Sequence, residues 1–252
     1  MKQDLFQLIK ESGNEVLKYA HSNSFILKED ASPVTYADKA SHQYLCKNLL
    51  DIRNIPILSE ENIISFSLRK RWDEFWLIDP LDGTKEFMNG FADFCINIAL
   101  VQNQEPVLGL IYAPKLNELY WAEKGRGFEY HGEPQKRLNN KGAIVAVSRF
   151  HCSSLIREFI TINQFKCVKN VGAALKFGHM ALGKIDLYPR FEDSREWDIA
   201  AGHIILKEAK CFIMDLHTSK EPIYNKQNLK NNYFIANRPN IEIDQLKYPN
   251  FS

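Results

Sequence analysis

Apolar residues near the start of the chain recur three and four positions apart: Leu5, Leu8, Ile9, Val16, Leu17 and Ala20 share one side of a helical wheel. Lys2, Glu11, Glu15 and Lys18 fall on the other side, so the spacing predicts an amphipathic helix. The same period returns over about residues 38–52, through Ala40, Tyr44, Leu45, Leu49 and Ile52, and Pro56 blocks its continuation. A polar segment, 28–38, separates the two. From residue 75 the rhythm shortens. Apolar runs of strand length at 75–78, 95–101, 107–112 and 119–122 are divided by the turn signals Asp82-Gly83, Asn89-Gly90 and Glu105-Pro106, which predicts a largely antiparallel sheet. Past Gly125-Arg126-Gly127 and a polar stretch to Lys141, apolar runs at 144–147, 167–169, 185–188 and 212–214 alternate with helical patterns at 154–160, 173–182 and 197–208. This second half reads as α/β. No internal repeat interrupts the chain, and the join near residue 140 is too short for a flexible linker, so one domain is expected.

Composition narrows the function classes. Of 252 residues 45% are apolar and 25% charged, enough apolar surface for a sizeable core. Lys plus Arg (32) against Asp plus Glu (31) leave a net charge of +1. No global field therefore gathers a nucleic-acid polymer or an anionic membrane, and any charge-based function is local. The longest stretch without a charge, 94–104, has 11 positions, against the roughly 20 needed to cross a bilayer. No membrane span is expected, and residues 1–19 lack the continuous apolar segment of a secretory signal, which points to the cytoplasm. Five widely spread cysteines without a Cys-x-x-Cys pair argue against a disulfide framework or a zinc cluster and are expected as reduced, mostly buried thiols.

The chemistry concentrates in Trp76-Leu77-Ile78-Asp79-Pro80-Leu81-Asp82-Gly83-Thr84, an apolar strand that runs directly into two carboxylates. Pro80 fixes its own φ and Gly83 permits a tight turn, so Asp79, Asp82 and the Leu81 carbonyl can converge as hard oxygen ligands for Mg²⁺. The Gly83 and Thr84 amides open the next element, where free N–H groups suit a phosphate. The plainer alternative is a turn with Asp82-Gly83 at its corner and Asp79 as a cap. Glu60-Glu61 follows another short apolar run, and Asp198 sits at a helix start within Arg195-Glu196-Trp197-Asp198. Each has its own plain explanation, solvated loop charges for the first and a helix-dipole partner for the second. Three acid sites at element ends weaken the case for coincidence.

Together, Ser32-Pro33-Val34-Thr35-Tyr36-Ala37-Asp38, Ser59-Glu60-Glu61, Trp76 to Phe87, Gly172 to Lys176 and Glu196-Trp197-Asp198 resemble the inositol monophosphatase-like family of Mg²⁺-dependent, lithium-sensitive phosphatases, almost end to end. Asp82-Gly83-Thr84-Lys85-Glu86-Phe87, Ser-Pro-Val-Thr and Asp186-Leu187-Tyr188-Pro189-Arg190-Phe191 are most similar to the bacterial 3'(2'),5'-bisphosphate nucleotidases, which convert 3'-phosphoadenosine 5'-phosphate to AMP. The resemblance implies an α+β fold, a layered α-β-α-β-α sandwich in one compact domain, with an α+β half (1–140) and an α/β half (141–252) meeting at the active site. It implies two or three Mg²⁺ ions held by Glu60, Asp79, Asp82, Asp198 and the Leu81 carbonyl. Thr84 and Asp38 would orient and deprotonate water, assisted by Glu61. Gly83, Thr84, Gly172, Lys176, Arg190 and Arg195 would bind substrate, with Lys176 near a second phosphate and Lys28 and Lys85 as weaker cations. His179 and His203 are expected as packing or surface residues. The partner is then a phosphorylated small molecule, and the assembly a monomer or homodimer. Two departures stand out: Ala209-Lys210-Cys211 replaces the family's usual Ala-Gly-Gly, and Ala173-Ala174 replaces Ser-Ser. The alternatives are an inositol monophosphate or sugar phosphate phosphatase, a glycosidase built on paired carboxylates, and a catalytically dead binding protein.

Overall fold

The computed structural model describes residues 1–20, 25–27, 33–133, 142–150 and 152–251. Helices α1 (Lys2–Leu17) and α2 (Tyr36–Ile52) pack side by side, with a short antiparallel ladder of β1 (Phe25–Leu27) and β2 (Pro33–Thr35) between them in sequence. Helix α2 starts two residues earlier than the apolar period implies, because Thr35 caps it. The Thr35 hydroxyl accepts from the Ala37 and Asp38 amides, and the Asp38 carboxylate accepts in turn from the Thr35 amide at 2.7 Å.

There follow β3 (Ile57–Ser59), α3 (Phe66–Arg69), β4 (Glu74–Asp82), α4 (Thr84–Met88), β5 (Cys95–Gln102), β6 (Glu105–Ala113), β7 (Glu118–Glu123) and β8 (Gly127–His131). The six strands form one sheet in chain order, with β3 parallel to β4 and every other pair antiparallel, as the alternating runs predict. The second half contributes β9 (Ile144–Val147), α5 (Ser154–Ile162), β10 (Cys167–Asn170), α6 (Leu175–Ala181), β11 (Leu187–Arg190), α7 (Glu196–Glu208), β12 (Phe212–Asp215) and β13 (Phe234–Asn237). Its sheet has the order β10-β9-β11-β13-β12, parallel at the β10 end and antiparallel around β13.

Alternation along β4 explains the layering. Trp76 and Ile78 face α1 and α2, where they meet Leu5, Ile9, Leu45 and Leu49. Phe75 and Leu77 face the opposite way, into a core with Phe177, Met180, Ala200 and Ile204 of α6 and α7. That middle core continues to Ile144, Tyr188, Ile213 and Phe234 of the second sheet and so draws on both halves. The outer face of the second sheet (Val145, Val147, Leu187, Ile235) is covered by Ile156 and Phe159 of α5. The result is the five-layered α-β-α-β-α sandwich. Helix α7 is apolar almost all round because it lies between two sheets. At its closest approach to β6 only glycine fits, since a Cβ on Gly109 would lie 2.5 Å from the Ala201 carbonyl oxygen.

Several features differ from the pattern-based expectation. Strand β3 forms the short apolar strand expected ahead of Glu60, whereas β1, β2, α3 and β13 carry no expectation, nor does β8, which is half-exposed and polar. The run at 185–188 becomes β11 at Leu187–Arg190, because Ile185 is core filling ahead of the ladder. Pro189 is tolerated there because the pairing with β9 is confined to Leu187 and Val145. All five cysteines are free, Cys95 and Cys211 buried and the others half-buried. The join near residue 140 and Lys28 lie outside the described residues. Among the described residues no helix is long and apolar enough to cross a membrane.

Candidate active site

Where β4 ends, its register against β5 slips: Asp79 pairs with Asn97 and Asp82 with Cys95, three steps on one strand against two on the other. In a regular strand residues three apart point to opposite faces, and the extra residue cancels that alternation. Asp79 and Asp82 therefore face one cavity of about 220 Å³, together with Glu60, Leu81, Gly83, Thr84 and Asp198. Gly83 closes the turn at φ +88°, which a side chain would strain.

Each acid is anchored through part of its carboxylate. Asp79 Oδ1 accepts from the Leu81 amide at 3.1 Å. Asp82 Oδ2 accepts from Asn97 Nδ2 at 3.1 Å and from the Ala174 amide at 2.7 Å. Asp198 Oδ2 accepts from the Arg195 amide at 2.8 Å, so it caps α7, the plain explanation, while it also lines the cavity. Glu60 follows the last residue of β3, its amide 3.3 Å from the Ile78 carbonyl.

Crowded carboxylates in a partly enclosed site resist ionisation. Burial raises Asp79 well above the usual range, and Glu60, Asp82 and Asp198 raise it further. Asp198 is pushed up to about 7 by burial and then by Asp82. Asp82 is also raised by burial, with Lys176, Asn97 and the Ala174 amide pulling the other way. Four carboxylates and a carbonyl are an all-oxygen donor set, and their mutual repulsion is what a hard divalent cation relieves, so the residues fit one. Among the described residues no three acid, histidine or cysteine side chains are gathered closely enough to hold a metal ion by themselves. An ion held here would need water and substrate oxygens beside these groups, as Mg²⁺ commonly does.

Thr84 Oγ1 lies 3.3 Å from both Asp38 Oδ1 and the Leu81 carbonyl oxygen. The other Asp38 oxygen is held by the Thr35 amide and by Thr35 Oγ1 at 2.6 Å. Burial lifts Asp38 to about 6 against those hydrogen bonds, with Glu61 and Glu60 adding to the rise. Glu61 is thus felt through its charge, while its amide rests on Ser59 Oγ at 3.3 Å.

The cations divide into two groups. Lys176 is buried in the cavity wall, where its ammonium donates to the Val171 and Ala173 carbonyls at 3.0 and 2.8 Å and lies 5.0 Å from the Tyr188 ring centre. Burial, then Arg190, lowers Lys176 to about 8. Arg190 also lines the cavity, donating to the Asp193 carbonyl at 2.7 Å. Arg195 turns its guanidinium to the Asn228 carbonyl at 3.4 Å, while Lys85 is exposed at the cavity rim. Gly172 donates its amide to Asp93 Oδ2 at 2.7 Å, behind the wall that Ala173 and Ala174 form. His179 and His203 are packing residues, on Glu118 and Tyr224 respectively.

Sequence reasoning passed over Glu86, Asn97, Ser194 and Tyr188 as site residues. Glu86 is buried in the wall and raised by burial, and its only sequence signal is its place in the Lys85-Glu86 pair. Asn97 is invisible inside an apolar strand until its pairing with Asp79 is known.

The chain matches the inositol monophosphatase family over residues 2–246. It is 35% identical over 222 residues to the 3'(2'),5'-bisphosphate nucleotidase CysQ of Salmonella typhimurium, covering 85% of this chain and 90% of that one. The crystal structure of CysQ from Bacteroides thetaiotaomicron superposes with a TM-score of 0.81 at 32% identity, covering 95% of this chain and 97% of that one. The Thermotoga maritima IMPase gives a TM-score of 0.77 at 26% identity, covering 94% and 92%. With the five layers and the acid-lined cavity already in place, these matches make the chain a member of the inositol monophosphatase family.

Proposed function

We propose that this protein is a metal-dependent phosphomonoester hydrolase, a 3'(2'),5'-bisphosphate nucleotidase that removes the 3'-phosphate of 3'-phosphoadenosine 5'-phosphate to give AMP and phosphate. The observation that carries the reading is the acid-lined cavity with Thr84 bridging it to Asp38, in a chain 35% identical to a bisphosphate nucleotidase. Glu60, Asp79, Asp82, Asp198 and the Leu81 carbonyl would hold two or three Mg²⁺ ions. Bound there, the metal supplies charge neutralisation for the phosphate oxygens and a lowered water pKa.

The chain's own groups do the rest. Thr84 Oγ1 orients the attacking water from the cavity side. It passes the proton toward Asp38 Oδ1, whose carboxyl, at about 6, is ionised at neutral pH yet basic enough to accept. Thr35 holds Asp38 in place through its second oxygen. The Gly83 and Thr84 amides receive the scissile phosphate, and Lys176 and Arg190 supply positive charge to the wall. Gly172 shapes the turn beneath that wall, and Arg195 fixes Asp198 through its amide.

Phosphate release from 3'-phosphoadenosine 5'-phosphate, inositol 1-phosphate and fructose 1,6-bisphosphate, in Mg²⁺ with and without Li⁺, tests the reading. The bisphosphate nucleotide is expected to give the highest kcat/KM, with inhibition by Li⁺. Preference for inositol phosphate or a sugar phosphate would move the assignment within the family, and turnover without a divalent metal would overturn it.

A further inference from the structure

Asp38, Ser41 and His42 stand at i, i+3 and i+4 on α2, hence on one face of the helix. Each reaches a different segment of the site. Asp38 accepts from Thr84 at the start of α4, Ser41 Oγ donates to the Pro80 carbonyl at 2.7 Å, and His42 Nδ1 is 2.9 Å from Ser59 Oγ. Ser41 and Ser59 are fully buried, at 0% and 1% exposure. The single Ser41 hydrogen goes to Pro80, so buried Ser12 of α1 donates to Ser41 Oγ at 2.9 Å and extends the chain of hydroxyls into the next helix.

These bonds fall where the sheet stops holding the backbone. Strand β3 is an edge strand with three ladder pairs, the last joining Ser59 to Ile78. Glu60 lies one residue beyond it. His42 grips Ser59, and Ser59 Oγ also accepts the Glu61 amide at 3.3 Å, so one hydroxyl ties the whole Ser59-Glu60-Glu61 turn to α2. Pro80 sits inside the register slip between Asp79 and Asp82, where the β5 ladder skips a step. Its carbonyl finds its donor in Ser41 instead. Both stretches carry acids that repel one another, Asp79 being raised by Glu60 and Asp82 as well as by burial, and past the last ladder pair of β3 the Glu60 amide still reaches the Ile78 carbonyl at 3.3 Å.

We infer that this face of α2 is the template that sets the spacing of the acid-bearing segments, and that His42 and Ser41 are positioning residues for Glu60, Asp79 and the Leu81 carbonyl. The inference rests on the metal-ligand assignment above and goes beyond it, because neither residue touches metal or substrate. Hydrogen-bond partners one step removed from a metal's ligands typically govern affinity by about 10–100-fold.

The test is Mn²⁺ binding to the folded, metal-stripped protein by calorimetry, beside its thermal unfolding without metal. His42→Leu and Ser59→Ala are each expected to weaken Mn²⁺ binding about 10-fold, and the double variant no more than either alone, since both cut one connection. His42→Asn, whose amide can occupy the place of Nδ1, should recover most of the affinity. Mn²⁺ affinity within about twofold of wild type in Ser59→Ala overturns the inference even if His42→Leu does not fold, as does full additivity of the pair. Asp79→Asn separates the two levels. If it leaves Mn²⁺ binding intact, the ligand assignment fails; if it abolishes binding while His42→Leu and Ser59→Ala are silent, the template alone fails.

Discussion

Removing the Thr84 hydroxyl, together with its methyl, isolates the water-activating pair from the rest of the site. In Thr84→Ala the side chain loses the single hydroxyl hydrogen shared between Asp38 Oδ1 and the Leu81 carbonyl, both at 3.3 Å and long for a hydroxyl donor. The residue is half-buried, and the lost hydrogen bonding is worth about 1 kcal/mol of stability, so the fold and the carboxylate cluster should persist. The rate should not. A positioned proton-transfer group contributes about 10² to 10⁴-fold, which at about 1.4 kcal/mol per decade is roughly 3–5 kcal/mol of barrier. Asp38 stays fixed by Thr35 through two bonds of 2.6 and 2.7 Å, so the loss reports the hydroxyl and not a wandering base. The assay is phosphate release from 3'-phosphoadenosine 5'-phosphate at saturating Mg²⁺, with the Mg²⁺ concentration for half-maximal rate measured alongside. Thr84→Ser should retain most of kcat, and Thr84→Ala should lose at least about 100-fold with little change in Mg²⁺ requirement. Asp38→Asn combined with Thr84→Ala should be little worse than either alone, as expected of groups that act as a unit. A fall of only twofold in Thr84→Ala, or a loss fully additive with Asp38→Asn, would refute the proton path.

Asp79→Asn should abolish hydrolysis while the protein stays folded, because the amide keeps the shape and lacks the charge that hard cations need; near-normal turnover would remove Asp79 from the site. Lys176→Ala should raise KM for 3'-phosphoadenosine 5'-phosphate about 10-fold or more and much less for a simple monoester; equal weakening of both would assign this buried ammonium to holding the Val171–Ala173 turn. Asp198 is raised from 3.8 to about 7 in the fold, so the unfolded chain releases this proton first and stability falls as pH rises through that window. The melting-temperature gain from Mg²⁺ should accordingly be larger at pH 7.5 than at pH 5, and a pH-independent gain would contradict the carboxylate cluster as its origin. Gly109→Ala places a Cβ 2.5 Å from the Ala201 carbonyl oxygen and 2.6 Å from Ile204 Cγ2. It should destabilise by about 1–3 kcal/mol in denaturant unfolding, and a neutral result would mean that β6 and α7 can move apart.

Much of the fold is legible because its elements are periodic over many residues. The buried stripe of α1 and the uninterrupted cores of β5, β6 and β7 give repeats long enough to outweigh any single residue. Strand β3 is legible only as a short apolar run ahead of Glu60; its three residues carry no period, and its parallel pairing with β4 shows only in the structure. Strand β13 draws no expectation from the pattern, although it is as long as β9, β10 and β12; it lies between β11 and β12. The displacement of β11 by two residues shows the limit of apolar runs, since Ile185 is buried without being paired.

At the site, residue types were legible, and so was the convergence of Asp79 and Asp82, but not the backbone device that achieves it. Asp79 and Asp82 announce themselves by flanking Pro-Leu at the end of an apolar run, and Pro80 with Gly83 signals the bend on which they converge, although in a regular strand a spacing of three sends side chains to opposite faces. Only the register slip against Asn97 and Cys95 brings them to one cavity, and nothing local in the sequence encodes a slip that depends on the neighbouring strand. Lys176 was legible as a cation at a helix start. Its direction follows from Ala173 at φ +52°, which turns the Val171 and Ala173 carbonyls toward the ammonium. Ala173 and Ala174 carry no hydroxyl, so the backbone N–H of Ala174 is what reaches Asp82 there. The sequence therefore specifies the donors and the charges, while the backbone path, set by one bulge, one left-handed alanine and the face of α2, decides which of them meet.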